Sequence, residues 1–180
     1  FSAATWGHPA CGFSNTDIVK LERQALACAG LTKPGRCRAV GLIVHYGPYG
    51  HPVATIIREV IFNWFIVLKN LTAKGLLPEI VLSWHDAVHY INQFDYLANH
   101  TRGLMTNLIN LLIELRWQVP AFNQWIDQNG EKWEMNDDTP PITVVRALTD
   151  SDNQMIINRA ASHYEGTGLE LGAAWNPTLH

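Results

Sequence analysis

The stretch that decides the fold is Ile56–Leu68, which reads IIREVIFNWFIVL. Only Arg58, Glu59 and Asn63 interrupt its apolar side chains. A helix that is apolar on nearly every side is buried on all sides, in a protein core, a membrane or an assembly. We therefore expect this stretch to form the central helix around which the rest of the chain packs, and to serve also as a face of an assembly.

A membrane span is the first alternative for this region. Val53–Leu71 is close to the roughly 20 residues that a transmembrane helix needs. However, Arg58, Glu59 and Lys69 lie within it or at its edge, and a charge near the bilayer centre costs on the order of 2.5 kcal/mol or more. We therefore predict a buried helix of a soluble protein and no membrane span.

The composition narrows the class of protein. The 180 residues suffice for one domain with its own apolar core, and a net charge of −3 does not indicate a freely basic nucleic-acid binder. Charged residues make up 16% of the chain, against about 25% in ordinary globular domains. Interface centres are poor in charge and rich in aromatic residues. The chain is thus either a subunit that hides much of its surface against neighbours or a compact monomer with polar, uncharged faces.

Residues that start and stop helices divide the first half of the chain into predicted elements. A capping residue at 14–16 and a stop at Gly30 predict a helix between them. Val40–Tyr46 is a short apolar run, which we interpret as a short strand or an extended connector. Pro52 suits the first turn of a helix that should run to about Lys74, with the following glycine as its stop.

The second half continues with further helices. Their predicted spans are Pro78 to about Ala98, Leu104–Trp117, Ala121–Asn129 and Thr149 to about Tyr164. Glu131–Pro141, which is acidic and ends in prolines, is predicted to be a loop. The fold class is therefore all-α, an antiparallel helical bundle of about four main helices. We expect a single domain over residues 1–180, with an irregular N-terminal arm at 1–13, the bundle at 14–165 and a C-terminal arm at 166–180.

One pair of side chains has metal-ligand spacing. His85 and His89 are four residues apart, so on a helix both rings lie on one face and can share a metal ion. Asp86 stands where the zinc-peptidase pattern has a glutamate base, and no third ligand follows at a recognised spacing. A small metal-dependent helical enzyme using His85 and His89 is therefore an alternative hypothesis. Without a nucleophile elbow or a phosphate loop, our main prediction includes neither catalysis nor a cofactor.

The stretch Gly103–Leu115 reads GLMTNLINLLIEL and resembles the C-terminal bundle helix of rod-shaped plant virus coat proteins of the tobamovirus type. The likeness lies in Asn110–Leu115, where an asparagine is followed by aliphatic residues, glutamate and leucine, and an aromatic-bearing segment comes next. The resemblance implies a four-helix coat subunit that stacks into a helical tube around RNA, and a location in the virion. The family's segment before this helix is rich in Arg and Asp, whereas Leu97–Arg102 keeps one arginine.

Three functional hypotheses follow from these observations. The first is a self-assembling coat or nucleocapsid subunit that forms a filament around single-stranded nucleic acid and self-associates through apolar and aromatic faces and terminal arms. A near-neutral subunit can hold nucleic acid because it neutralises only a few phosphates, and the arginine fork suits phosphate. The candidate contacts are Arg36, Arg38, Arg58, Arg102 and Arg116. The second hypothesis is the metal enzyme, and the third is a helical module that binds a partner.

Two kinds of covalent modification stay open. Cys11, Cys28 and Cys37 allow one disulfide and leave one thiol over, and we favour three free thiols. Asn70 and Asn99 each begin a glycosylation triplet. Sequons favour secretion and unpaired cysteines disfavour it, so the sequence leaves the compartment open.

Overall fold

The computed structural model describes residues 12, 14–30, 37–93, 103–136 and 139–165. The helices in these ranges are α1 (Asn15–Cys28), α2 (Arg38–Tyr46), α3 (Pro52–Ala73), α4 (Leu77–Ile91), α5 (Leu104–Glu114) and α6 (Pro141–Glu165). The strands are β1 (Gln118–Ala121), β2 (Gln124–Ile126) and β3 (Lys132–Glu134). The chain is mostly helical, as predicted, but it is not all-α, because the strands form an antiparallel sheet in the order β1-β2-β3. The predicted arms lie outside the described residues, apart from Gly12.

The long helix α3 has the ends that the sequence predicts. Pro52 lies in its first turn, where a missing N–H costs nothing. At its C-terminus Gly75 has φ of 70°, its N–H donates to the Thr72 carbonyl, and the Leu76 N–H donates to the Leu71 carbonyl at 3.0 Å. These two bonds form a Schellman motif, in which a left-handed residue closes the last turn.

The expectation that α3 is buried on all sides is wrong for the single chain. Its core face holds Ile57, Val60, Ile61, Trp64 and Leu68, but its opposite face is open. There Arg58 lies 5.8 Å from the centre of the Phe62 ring, and Lys69 lies 4.8 Å from that of Phe65. The cations keep their charge in water while they cover half-buried aromatic rings, so α3 is amphipathic despite its composition.

The helices pack around α3. It contacts α6, α5 and α1, while α4 lies against α5 and β1, and α2 lies against α1 and α6. Most of the buried apolar side chains form one cluster, and Ala25, Leu26 and Leu42 form a second, smaller one between α1 and α2. No helix in the described part of the chain is long and apolar enough to cross a membrane.

The sheet replaces a helix and a loop that the sequence predicts. The predicted helix Ala121–Asn129 is wrong, because Trp125 pairs with Trp133 across β2 and β3. The predicted loop Glu131–Pro141 is wrong at Lys132–Glu134, which forms β3, and at Pro141, which begins α6. The turn between these strands is built by Asp127, whose carboxylate accepts from the N–H groups of Asn129 and Glu131 at 2.8 and 2.9 Å. Short polar side chains in such turns compete with helical hydrogen bonding.

Tryptophans attach the sheet to the helices. The Trp64 indole N–H donates to the Phe122 carbonyl at 3.0 Å, and the Trp84 indole N–H donates to the Val119 carbonyl at 3.3 Å. The centres of these two rings are 5.7 Å apart. The carbonyls of Val119 and Phe122 therefore accept hydrogen bonds from tryptophans of distant helices. In a helix, these carbonyls would instead be bonded within the helix itself. The tertiary contacts thus replace the hydrogen bonds of the helix that the local sequence favours.

Three other element boundaries differ from the prediction. Val40–Tyr46 belongs to helix α2, because Leu42 is fully buried and packs in the cluster with α1. Helix α6 begins at Pro141 rather than Thr149, since a proline at the first helical position needs no partner for a missing N–H. Helix α4 ends at Ile91, and the remainder of its predicted span lies mostly outside the described residues.

Candidate functional site

A buried histidine between two carboxylates is the most unusual polar feature of the structure. His51 is 3% exposed. Its Nε2 lies 3.0 Å from Oε1 of Glu22, and its Nδ1 lies 3.5 Å from Oδ2 of Asp152. We call these three residues the His51 cluster. The contact with Glu22 has hydrogen-bond geometry, whereas the contact with Asp152 is an ion pair without an aligned hydrogen bond.

The cluster joins elements that are far apart in the chain. Glu22 lies on α1 beside the buried side chains of Leu21 and Ala25. His51 occupies the position directly before α3, next to Pro52, and Asp152 lies on α6. Each carboxylate thus occupies a position in the apolar stripe of its helix, which is the sequence signal that could have identified it.

Electrostatics hold His51 in its charged form. Burial alone lowers the pKa of this imidazole, but the carboxylates of Asp152 and Glu22 outweigh it and raise the pKa to about 9. For Glu22, burial alone raises the pKa, and the stronger combined effect of His51 and Arg38 lowers it below its ordinary value. Nε of Arg38 lies 3.3 Å from Oε2 of Glu22. The cluster is therefore an imidazolium between two carboxylates at neutral pH.

The chain directly before His51 is tightly packed at Gly50. A Cβ at Gly50 would lie 2.5 Å from the Cβ of Tyr46 and 2.6 Å from the Leu42 carbonyl oxygen. The Asn153 amide donates to the Pro48 carbonyl at 2.9 Å, and this hydrogen bond links the α2–α3 turn to α6. A fixed imidazolium that is closed off in this way is poorly suited to act as a general base at neutral pH. The geometry instead indicates that it fixes the position of the N-terminal helices.

The histidines with metal-ligand spacing lie elsewhere. His85 and His89 both lie on the exposed face of α4, and the Gln93 amide lies 3.1 Å from Nε2 of His89. Among the described residues, no group of three His, Cys, Asp or Glu side chains can hold a metal ion. The pair is thus present on one face, as predicted, without a third protein ligand in the described part of the chain.

The candidate arginines have different surroundings. Arg38 is paired with Glu22, whereas Arg58 lies over an aromatic ring on the open side of α3. Arg116 is exposed directly after α5. Arg36 and Arg102 lie outside the described residues. The side chains of Arg58 and Arg116 are therefore the described candidates that face solvent without an ion pair to the His51 cluster.

Arg116 has a backbone conformation that favours glycine. Its φ is 62°, and no other non-glycine residue in the described ranges has positive φ. Its N–H donates to the Ile113 carbonyl at 2.9 Å, and the Trp117 N–H donates to the Leu112 carbonyl at 2.8 Å. This is the same Schellman motif that ends α3, with arginine where α3 has glycine. This conformation costs a residue with a Cβ roughly 1–2 kcal/mol more than it costs glycine.

Large apolar side chains are exposed at α4 and around the turn between α2 and α3, and Ile66 on α3 and Ile142 on α6 are exposed as well. The outer face of α4 consists of Leu76, Leu77, Val81 and Leu82, of which Leu82 is 69% exposed. The α2–α3 corner consists of Val44, Tyr46 and Tyr49, of which Val44 is 62% exposed.

The sites of covalent modification are partly described. Cys28 and Cys37 are free thiols, and Cys11 lies outside the described residues. Asn70 is exposed on α3, and Asn99 lies outside the described residues.

Comparison with known protein families, with curated proteins and with solved structures finds no match for this chain. The functional argument therefore rests on the residues and surfaces described above.

Stability should fall at alkaline pH because of His51. Its folded-state pKa of about 9 exceeds the ordinary 6.5, so the cluster's contribution is complete below pH 6.5 and is lost as the pH rises through 9. A shift of this size corresponds to about 3 kcal/mol. Urea unfolding at a series of pH values from 6 to 10 measures the effect.

The control for this experiment is His51→Gln, which should lower stability at pH 6 and remove most of the alkaline loss between pH 6.5 and 9. Because the pKa of Glu22 is lowered, the stability that its carboxylate contributes is present above pH 4.5 and is lost as the pH falls through the folded-state pKa. Equal stability of the wild-type chain at pH 6 and pH 10 would contradict this account.

The substitution Arg116→Gly should stabilise the fold by about 0.5–1 kcal/mol, because glycine adopts the left-handed conformation without steric cost. The reciprocal change Gly75→Arg at the matching position of α3 should destabilise by about 1–2 kcal/mol. Urea midpoints of the two variants test the pair. A loss of stability in Arg116→Gly would mean that the arginine side chain itself stabilises the turn.

Proposed function

We propose that this chain is a self-assembling structural subunit, a coat or nucleocapsid protein that forms a helical filament around single-stranded nucleic acid. In this proposal α3, α4, α5 and α6 are the four main helices of an antiparallel bundle. The observation that carries the proposal is the outer face of α4, where large aliphatic side chains are exposed to solvent.

Four large aliphatic residues are exposed on α4 or directly before it, namely Leu76, Leu77, Val81 and Leu82. Single exposed hydrophobic residues are normal on any protein surface, but neighbouring ones mark a surface that binds something. Leu82 is 69% exposed, and Val81 beside it is 50% exposed. Only 16% of the chain is charged, so few charges are available to keep such a surface apart from another copy.

The resemblance of Gly103–Leu115 to the rod-shaped coat proteins adds to the proposal. This segment forms α5, and its residues from Asn107 to Leu112 are buried against the neighbouring helices. An internal helix of this kind is what the resemblance implies for a bundle subunit. A module that binds a partner protein would use the same outer face of α4, and the experiment below separates it from self-assembly.

The assembly is tested with purified protein by light scattering after size exclusion and by negative-stain microscopy. The wild-type chain should form large regular particles, and Leu82→Asp should remain a monomer because it buries an unpaired charge in the contact. Gln24→Asp places the same charge at an exposed position of a different helix, α1, and should still assemble. A wild-type chain that stays monomeric at all concentrations would refute the proposal and favour a partner-binding module.

The nucleic-acid part of the proposal rests on the exposed arginines. Arg116→Gly should weaken binding of a fluorescent single-stranded RNA several-fold and reduce the slope of affinity against salt by about one. Since this variant should fold at least as stably, a loss of binding cannot come from unfolding. Arg146→Ala removes a charge from an exposed position on α6 and serves as the matched control. An equal loss in both variants would mean that net charge alone matters.

A further inference from the structure

The turn between β2 and β3 carries a chemically labile pair of residues. Asn129 is followed by Gly130, and no other asparagine in the sequence precedes a glycine. Asparagine is one of the residues that degrade chemically when a protein is kept warm. In this turn Gln128, Asn129 and Gly130 are all exposed. The turn therefore combines a labile side chain with access to water.

The geometry leaves the Asn129 side chain and the next peptide nitrogen unshielded. Gly130 has φ of 84°, a conformation that suits glycine. No atom of a non-adjacent residue in the described ranges lies within 4 Å of the position that a Cβ would take at Gly130. Within the same ranges the carboxamide of Asn129 makes no hydrogen bond. The backbone nitrogen of Gly130 thus follows a carboxamide that rotates without losing a partner.

We propose that Asn129 is a site of spontaneous deamidation, and that the hydrogen bonds of Asp127 restrain the reaction in the folded chain. The site needs no enzyme and no cofactor, because the nucleophile is the backbone nitrogen of Gly130 and the other reactant is water. This inference concerns a covalent modification, and it is independent of the proposed self-assembly.

The reaction is an intramolecular attack followed by hydrolysis. A hydroxide ion removes the proton of the Gly130 backbone nitrogen, which then bonds to Cγ of Asn129. The bond between Cγ and the side-chain nitrogen breaks, and that nitrogen takes a proton from water and leaves as ammonia. Water then opens the cyclic imide at one of its two carbonyl carbons. One water is consumed, one ammonia is released, and the product is either aspartate or isoaspartate.

Asp127 opposes the first step. Its Oδ1 accepts from the N–H groups of Asn129 and Glu131 at 2.8 and 2.9 Å. Its backbone carbonyl accepts from the N–H of Gly130 at 3.1 Å. The attacking nitrogen is therefore engaged as a donor, and the turn must open locally before this nitrogen reaches Cγ. The carboxylate that builds the turn thus also slows its modification.

Deamidation changes the turn in two ways. Both products add a carboxylate close to those of Asp127 and Glu131, and like charges repel. Isoaspartate also lengthens the main chain by one carbon atom, which displaces the N–H groups that the Asp127 carboxylate holds. Trp125 and Trp133 pair next to this turn. The isoaspartate form, separated by its additional negative charge on an ion-exchange column, should therefore unfold at a lower urea concentration than the unmodified chain.

The experiment follows the full-length folded chain during a long incubation at pH 7.5 and pH 8.5. Trypsin then releases residues 117–132 as one peptide, because Arg116 and Lys132 mark its two cleavage points. Fragmentation in a mass spectrometer assigns the mass gain of deamidation to Asn129 or to Asn123, which lies in the β1–β2 turn and precedes Gln124. Asn129 should be modified at least tenfold faster than Asn123, and its rate should rise with the hydroxide concentration.

The restraint by Asp127 is tested in two ways. The wild-type chain unfolded in guanidinium chloride should deamidate several-fold faster at Asn129 than the folded chain. Asp127→Ala, which removes the acceptor of two N–H groups, should accelerate the reaction in the folded chain toward the unfolded rate. The matched control is Glu131→Ala, which removes a carboxylate of the same turn but leaves the N–H of residue 131 bonded to Asp127. It should react at the wild-type rate.

Each outcome decides one part of the inference. Equal rates at Asn129 and Asn123 overturn the assignment of the site. Equal rates in the folded and the unfolded wild-type chain overturn the restraint, whether or not Asp127→Ala keeps its fold. Acceleration of the same size in Asp127→Ala and Glu131→Ala also overturns the restraint, because it would trace the effect to negative charge rather than to the hydrogen bonds.

Discussion

The arrangement of the helices depends on a single buried charge, the imidazolium of His51. Glu22 on α1 and Asp152 on α6 face it from two sides, and the histidine itself begins α3. Because removing one partner of a buried ion pair leaves an uncompensated charge, the three helices must come together at one point. Arg38 brings α2 to the same point through Glu22. The apolar core supplies driving force, and this cluster specifies how the N-terminal helices sit on it.

The distribution of the charged side chains also determines what the surface exposes. Several of the chain's few charges already have partners, in the His51 cluster and over the aromatic rings on the open face of α3. Large aliphatic and aromatic side chains are exposed on α4 and at the α2–α3 corner. Such a surface suits repeated contacts between copies of one chain better than solvation. The proposed function follows from this distribution rather than from any catalytic group.

Much of the helical structure could be predicted, because its signals are local. A capping serine at α1, a proline at the start of α3 and a glycine after its end act within one helical turn, and the structure has each of them in that role. The sheet could not be predicted in the same way. Its strands are short, and the carbonyls of Val119 in β1 and of Phe122 in the turn after it accept hydrogen bonds from Trp84 and Trp64 of distant helices. Local pattern carries no information about such partners.

The candidate site, too, could be predicted only where its signals are local. The sequence by itself determined that the chain is helical, poor in charge, and equipped with arginines and a histidine pair at recognisable positions. Only the tertiary structure decided that His51, a residue in a turn, becomes a buried cation, and that Arg116 takes the place of a glycine. The physical reason is that burial and electrostatic partnership arise from residues far apart in the chain, whereas helix formation depends on neighbours a few positions away.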